Sequence, residues 1–275
     1  MKRKLFCEIS SVTYKVSVAK CILLRNVQDI VNKKNFAKSK QEDLLPVVIY
    51  KHNSLIRRTL GNVDMQLQEN KAVNLSIAAP KINKVLIRSG EVFSFWKLVG
   101  KCTYKKGYKE GLTISNHHTS QDIGGGMCQF TNLIHWMILH SEMSIIEHHH
   151  HDNIDLFPDF NRQIPFGTGT SIYYNYVDYR FKNTSDMTYQ LITYITDTHL
   201  CGELRAEKDQ KYKYHILEKD EFFSEENGDI YRNGKIFRQT IDPITGINLN
   251  TELIKLNHAK VAYDTSNLKI TTSIE

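Results

Sequence analysis

The fold of this chain is interpreted from one segment, Gly124-Gly125-Gly126-Met127-Cys128-Gln129-Phe130-Thr131-Asn132-Leu133-Ile134-His135-Trp136-Met137-Ile138-Leu139. Three glycines precede a strongly apolar run that contains neither Gly nor Pro. Such a run predicts a buried helix. Glycine lacks a Cβ, so the backbone before the helix can turn sharply and a ligand can approach it closely. We therefore expect this helix in the core, with residues 124–126 at the edge of a binding site.

Cys128 falls in the first turn of the predicted helix. Unpaired N–H groups and the helix dipole favour negative charge there, so a reactive thiolate and a bound oxyanion are both plausible chemistry. One polar stripe along the helix is formed, at helical spacing, by Cys128, Thr131, Asn132 and His135. Gln129 offers a further amide donor. The alternative for Cys128 is a small buried hydrophobic residue.

Four consecutive histidines, residues 148–151, follow about 20 residues later and end at Asp152. On a strand, His149 and His151 would share one side, and that pair could meet Cys128 to form a Cys–His dyad. A zinc site built from Cys128, His149, His151 and Asp152 is the competing interpretation. A third is an exposed polar turn without a catalytic role.

Residues 171–181 alternate in the manner of an aromatic-rich strand, and residues 189–196 predict a second strand after a turn at 183–186. Together they predict a hairpin. Asp178 lies in the first strand and is the best candidate for a third group that orients a catalytic histidine. Its alternative role is an ion pair with Arg180.

Two further helices are predicted before the glycine triplet. Residues 13–36 carry apolar side chains at helical spacing and a basic outer face, which indicates a solvated surface helix or, alternatively, a helix lying on a membrane surface. Residues 71–88 predict a second helix, capped by Asn70 and kinked or ended by Pro80.

The predicted fold class is α+β. N-terminal helices occupy residues 1–60, and a core domain at 61–205 packs the Cys128 helix on an antiparallel sheet. A small β-rich appendage occupies 206–275, in which Asn233-Gly234 predicts a hairpin turn.

Composition narrows the class of protein. The 275 residues are 41% apolar and 24% charged, with a formal net charge of +6 and no dense basic block, so nucleic-acid binding is not expected. Five widely spaced cysteines indicate reduced thiols. The basic start has no apolar run behind it, and no segment reaches the roughly 20 apolar residues that a bilayer requires. We expect a cytoplasmic protein without a membrane span and without a cofactor.

Four groups of residues resemble the VanW family, which is named for a component of vancomycin resistance clusters. The groups are Phe93-Ser94-Phe95-Trp96, Gly107-Tyr108-Lys109-Glu110-Gly111, Gly124-Gly125-Gly126-Met127-Cys128-Gln129, and the strand Asp178 to Asn183 with Thr184 after it. The glycine–cysteine group is the most specific of them. This resemblance implies an association with cell-wall or glycopeptide-resistance biology, and it does not supply a reaction.

The resemblance also shows where this chain departs from the family pattern. The family's Arg-His-x-His-Ser run falls on His148 to Asp152, so its paired histidines match His149 and His151. A Gly-x-Asp-Ala-Thr-Val pattern falls on residues 167–172, and Gly169 occupies the aspartate position. If that carboxylate acts in the family, Asp178 must replace it here.

The leading functional hypothesis is a Cys–His hydrolase or acyltransferase that acts on an amide or peptide bond of a peptidoglycan-type substrate. Cys128 would be the nucleophile, His149 or His151 the base, and Gln129 an oxyanion donor. The alternative is a non-catalytic module that binds a peptide or glycan through the glycine triplet, Trp96 and the tyrosines. Asn132 is a further candidate for substrate binding. The sequence leaves the oligomeric state open.

Overall fold

The structure is a computed structural model that describes residues 4–58, 64–115, 118–150, 153–156, 158 and 163–271. Its α-helices are α1 Ser11–Val31, α2 Met65–Ile82, α3 Phe95–Val99 and α4 Met127–Leu139. Its strands are β1 Val47–Leu55, β2 Val85–Ile87, β3 Val92–Ser94, β4 Glu110–Ser115, β5 His118–Ile123, β6 Ser144–Glu147, β7 Ile154–Asp155, β8 Arg180–Lys182, β9 Tyr189–Ile195, β10 His199–Ala206, β11 Lys213–Glu226, β12 Asp229–Ile241, β13 Asn248–Val261 and β14 Ile270–Thr271.

The predicted α+β class is confirmed, and its centre is α4 packed on an antiparallel sheet of order β1-β10-β9-β2. Phe130, Leu133 and Met137 of α4 are all buried in the core. Gly202 of β10 allows the close approach, because a Cβ there would lie 2.7 Å from the Met137 Cε atom. The sheet thus provides a fixed base for the helix that begins beside Cys128.

The two helices before the glycine triplet exist with shifted bounds. α1 begins one residue after its cap, Ser10, whose side chain accepts a hydrogen bond from the Thr13 amide. α2 begins at Met65 and is capped by Asp64, so the predicted cap at Asn70 is wrong. Pro80 lies within the last turn of α2, and the helix ends at Ile82. None of the helices within the described ranges has the length and hydropathy to span a bilayer.

The predicted hairpin of residues 171–181 with 189–196 is wrong. Only Arg180–Lys182 is a strand in the first segment, because Tyr173 and Val177 pair across a tight turn in which Asn175 has a φ of 85°. β8 then pairs with β3 and β6, whereas β9 pairs with β10 and β2. Aromatic alternation over residues 171–181 therefore predicted a strand where most of the segment is a turn, and it did not identify the partners of β8.

The C-terminal part is a second sheet, in which β11, β12 and β13 are antiparallel neighbours. Asn233-Gly234 lies inside β12 rather than at a turn, so that prediction is wrong, and the chain reverses instead at Asn227 and Gly228. The short strand β7 pairs with β13 and attaches this sheet to the rest of the protein. β1, from the predicted N-terminal helical region, belongs to the core sheet.

Candidate functional site

The glycine triplet, residues 124–126, is packed against protein atoms. Its first and third glycines have φ values of 87° and 106°, a backbone conformation that residues with a Cβ rarely adopt. A Cβ on Gly125 would lie 2.4 Å from the Gly111 carbonyl carbon, and a Cβ on the first or third glycine would lie 2.5 Å from Cys102 or Lys71. The triplet therefore allows close packing of this chain on itself.

A buried asparagine that the sequence analysis missed holds the triplet in place. Asn74 of α2 donates to the carbonyl oxygens of Gly125 and Lys109, both at 2.9 Å, and accepts from the Lys109 amide at 2.8 Å. The side chain is fully buried. The Asn74 side chain thus supplies hydrogen bonds to backbone groups of two segments, which would otherwise be buried without partners.

The polar stripe of α4 is covered by the segment 168–172. The Asn132 Oδ1 atom accepts from the Thr170 amide at 2.6 Å and from the Thr170 hydroxyl at 2.8 Å. The hydroxyls of Thr131 and Thr170 form a further short hydrogen bond, and both residues are buried. Asn132, predicted to bind substrate, thus uses its carbonyl oxygen within the protein.

The Cys128 sulfur lies beneath the same segment. The residue keeps some exposed surface, yet burial raises the pKa of its thiol. Hydrogen bonds from the backbone amides of Ile172 and of Cys128 itself lower that pKa and offset the rise only in part. The helix start therefore does not produce an acidic thiol here, and the neutral form is favoured at neutral pH.

The histidine run divides between two sides of the extended segment that follows β6. The His149 Nε2 atom lies 3.1 Å from the Glu147 carboxylate. The His148 ring faces the other way and stacks on His135 of α4, with 4.3 Å between ring centroids. The member that packs on α4 is therefore His148, where the predicted alternation placed His149. His151 and Asp152 lie outside the described residues.

His150 lies close to the position at which the family pattern has aspartate. An ideal Cβ on Gly169 would lie 3.5 Å from the His150 Nε2 atom and 3.8 Å from the Asn132 Oδ1 atom. The neighbouring His148 Nε2 atom bonds the Gly169 carbonyl oxygen at 2.8 Å. Gly169 itself thus brings no carboxylate to the space between His150 and Asn132.

His135 completes what we call the histidine network, formed by His135, His148, His150, Asn132 and Thr170. The His135 Nδ1 atom lies 3.1 Å from the Tyr179 hydroxyl oxygen. Burial holds the pKa of His135 well below its ordinary value, and the neighbouring His148 and His150 lower it further. The imidazole at the centre of this network is therefore neutral at physiological pH.

Asp178 lies in a different environment. Its carboxylate accepts from the Arg180 Nε atom at 2.8 Å, from the amides of Trp96 and Tyr179 at 3.1 and 2.9 Å, and from the Ser94 hydroxyl. The alternative interpretation of this residue, an ion pair with Arg180, is confirmed. Burial raises the pKa of Asp178, and the hydrogen bonds from Ser94, Arg180 and Trp96 oppose that rise.

Arg180 extends these contacts into a charged network of Arg25, Asp29, Glu147, Asp178 and Arg180. The Arg180 guanidinium makes a bidentate pair with Asp29 of α1, at 2.6 and 3.0 Å. Arg25 of α1 pairs in the same way with Glu147. Because bidentate Arg–carboxylate pairs fix geometry as well as charge, this network fastens α1 to the core.

Two other predicted binding residues hold structural positions. Trp96 is buried, and its Nε1 atom donates to the Val177 carbonyl oxygen at 3.1 Å. The Gln129 amide donates to the Ser54 hydroxyl and to the Leu55 carbonyl oxygen of β1, both at 2.8 Å. Gln129 thereby ties the start of α4 to the edge of the core sheet.

A metal centre has little support in the geometry. Within the described ranges, no three His, Cys, Asp or Glu side chains are arranged to hold a metal ion. The zinc interpretation included His151 and Asp152, which lie outside those ranges, so it stays a prediction.

A cleft of about 450 Å³ opens between the C-terminal end of α4 and the C-terminal sheet. The histidine network contributes His135 and His148 to its wall. Other lining residues include charged and aromatic side chains from both sides, namely Glu142, Tyr214, Arg238, Glu252 and Lys255. The sequence analysis missed this cleft, because its walls come from segments as distant in the chain as His135 and Lys255.

Arg238 is the central cation of the cleft. Its guanidinium donates to the Ser141 carbonyl oxygen, lies 3.4 Å from the Glu252 carboxylate, and stacks 3.8 Å from the Tyr214 ring centroid. Its Nε atom is buried and finds no acceptor in the described part of the chain. Because this atom is buried, a ligand in the cleft would meet the exposed part of the guanidinium and the Tyr214 ring instead.

The fold and the site define an α+β protein in which a glycine-led helix and a C-terminal sheet enclose a polar cleft. The family model described as "VanW like protein" matches residues 70–205. Together with the relatives below, this match shows that the chain belongs to the VanW family. The matched region ends at the last residues of β10, so the C-terminal sheet lies beyond it.

Two curated relatives illustrate the likeness. The chain is 32% identical over 228 residues to the vancomycin B-type resistance protein VanW of Enterococcus faecalis, which covers 83% of this chain and 82% of that protein. It is 26% identical over 118 residues to the uncharacterized protein YoaR of Bacillus subtilis, over 42% of this chain and 36% of that one. No solved structure matches it.

Proposed function

We propose that this chain is a non-catalytic binding protein in glycopeptide-resistance biology that holds a peptide or glycan of the cell-wall type in the cleft beside α4. The link to resistance rests on the likeness to the Enterococcus faecalis protein. The observation that carries the binding role is the cleft itself, whose wall places the Arg238 guanidinium beside Glu252 and over the Tyr214 ring. A carboxylate of a ligand would pair with the exposed part of this guanidinium.

The character of the cleft suits such a ligand. Arg238 and Lys255 offer positive charge, Glu142 and Glu252 negative charge, and Tyr214 an aromatic face. Its volume falls in the range of about 300–1,000 Å³ that is usual for small-molecule sites. A short peptide with amide groups and both kinds of charge would find partners on each wall.

Hydrolysis at Cys128 stays a prediction with weaker support. Burial raises the pKa of the thiol, whereas a nucleophilic cysteine requires a stabilised thiolate. His149 is bonded to Glu147, and the carboxylate of Asp178 is engaged by Arg180. Within the described residues no hydrogen bond joins Cys128 to His149 or His149 to Asp178, and His151 lies outside them, so the dyad and the triad stay predictions.

A titration of the whole protein with a synthetic peptidoglycan stem pentapeptide tests the proposal. We expect binding by calorimetry that survives Cys128→Ser and weakens in Arg238→Gln by roughly 10- to 100-fold, the loss expected for a charge-assisted hydrogen bond. Arg205→Gln is the matched control, because Arg205 also pairs with a carboxylate and a backbone carbonyl at a similar exposure, away from the cleft. Peptide turnover that Cys128→Ser abolishes would instead establish the hydrolase.

A further inference from the structure

Helix α1 is attached to the protein by its polar side. Asp29 pairs with Arg180, and Arg25 donates to Glu147 at 2.7 Å. The Asn26 Oδ1 atom accepts from the Lys97 side chain at 3.0 Å. A surface helix of a globular protein normally turns its apolar stripe to the core and its charges to water. α1 does the reverse, because ion pairs rather than apolar contacts hold its inner side.

The outer side of α1 is consequently apolar. One stripe of exposed apolar side chains follows helical spacing and consists of Val12, Val16, Leu23, Val27 and Ile30. The exposed fractions of these side chains run from 48% to 76%. The turn that precedes the helix adds three more exposed apolar side chains, Leu5, Phe6 and Ile9. An exposed apolar stripe of this extent marks an interaction surface rather than a random feature of the protein exterior.

The charges around the stripe are positive. Between residues 4 and 34 the cationic side chains that make no ion pair within the described ranges are Lys4, Lys15, Lys20 and Lys33, whereas Arg25 pairs with Glu147 and Lys34 with Asp29. The acidic side chains are Glu8 and Asp29. Asp29 is buried against Arg180. Glu8 bonds back to the Leu5 amide at 2.8 Å. The outward surface of this segment is therefore apolar with a basic margin.

We propose that α1 docks on the surface of an anionic lipid bilayer, lying parallel to it with the stripe among the acyl chains and the lysines at the headgroups. A helix of this composition binds membranes in that orientation, through apolar burial and attraction to anionic lipid. A second copy of the chain fits less well, because it would bring the same lysines and no free carboxylate along its stripe. The proposal is independent of the ligand of the cleft.

Sedimentation of the whole chain with vesicles tests this directly. We expect binding to equimolar phosphatidylcholine and phosphatidylglycerol vesicles, little binding to phosphatidylcholine alone, and weakening as salt is raised. Leu23→Glu should reduce the binding roughly tenfold or more, because it removes one apolar anchor and adds a negative charge. Gln28→Glu is the matched control: it makes the same charge change at an exposed position on another side of α1.

Three results would overturn the proposal. The first is a wild-type protein that fails to sediment with the anionic vesicles. The second is an equal loss in Gln28→Glu and Leu23→Glu, which would leave only a charge effect. The third is a dimer at micromolar concentration that Leu23→Glu dissociates, which would assign the stripe to a second copy of the chain. Thermal denaturation of each variant checks that the fold is kept, since both positions are exposed.

Discussion

The charged network and the histidine network lie on opposite sides of one short segment, and they differ in what they do with charge. Glu147 and His149 point toward the arginines and carboxylates that fasten α1, whereas His148 stacks on His135 beside the cleft. Successive side chains of an extended backbone point to opposite sides, so a single segment serves both networks. The charged network fixes the position of α1, whereas the buried His135 of the histidine network is held neutral.

Removal of Arg180 should produce the largest effect. Arg180→Ala leaves Asp178 buried without its cation and removes the bidentate partner of Asp29, which keeps only Lys34 and Lys97. Breaking a buried pair costs about 3–5 kcal/mol of unfolding free energy. Arg57→Ala is the control, because the Arg57–Glu69 pair is exposed and worth about 0–1 kcal/mol. Urea denaturation measures both. Equal losses would show that the charged network does not hold α1.

The glycine triplet gives the next largest expected effect. Gly125→Ala places a Cβ 2.4 Å from the Gly111 backbone, which cannot move aside as a flexible side chain would. Overpacking of this kind costs about 1–3 kcal/mol. Gly234→Ala is the matched control, since its nearest neighbour would be 3.8 Å away and its φ is not positive. Similar stabilities for the two variants in urea would contradict the packing role of the triplet.

The histidine network predicts a specific dependence of stability on pH. Burial lowers the pKa of His135 well below 6.5, so below pH 6.5 the unfolded chain binds more protons than the folded protein. Above pH 6.5 His135 therefore does not change the free energy of unfolding. Below pH 6.5 it lowers that free energy progressively, by about 1.4 kcal/mol for each pH unit. His140 adds a similar loss between 6.5 and its lowered pKa of about 4.

Denaturation of His135→Gln between pH 7 and pH 5 measures this contribution. The variant should lose stability less steeply than the wild type as pH falls. Parallel curves for wild type and His135→Gln would show that His135 is not held neutral by the fold.

The sequence predicted local elements well where one physical signal dominated. The apolar run after the triplet predicted α4 from its first residue, because no breaker interrupts it. Asn233-Gly234 failed because its neighbours pair along the whole length of β12 with β11 and β13, and that pairing overrides the turn preference of the dipeptide. The true turn, Asn227-Gly228, has the same chemistry and lies where the paired strands end.

The candidate site was harder to predict because its contacts are distant in sequence. Thr170 covers Asn132 from 38 residues away, and Arg180 reaches Asp29 across 151 residues. No local pattern reports such partners. The resemblance to a family also does not tell which side of the segment after β6 faces α4. A shift of one residue along that segment exchanges the sides of His148 and His149.

The most direct test of the central claim, that Cys128 is a buried structural thiol and not a nucleophile, is the rate of alkylation of each cysteine by iodoacetamide as a function of pH. Mass spectrometry of the native chain follows Cys128 and, as an internal reference for accessibility, the exposed Cys21. We predict that Cys128 reacts more slowly than Cys21 and gains reactivity only above the free-thiol pKa of about 8.5. Faster modification of Cys128 at neutral pH, lost in His148→Ala or His150→Ala, would contradict this and establish an activated nucleophile.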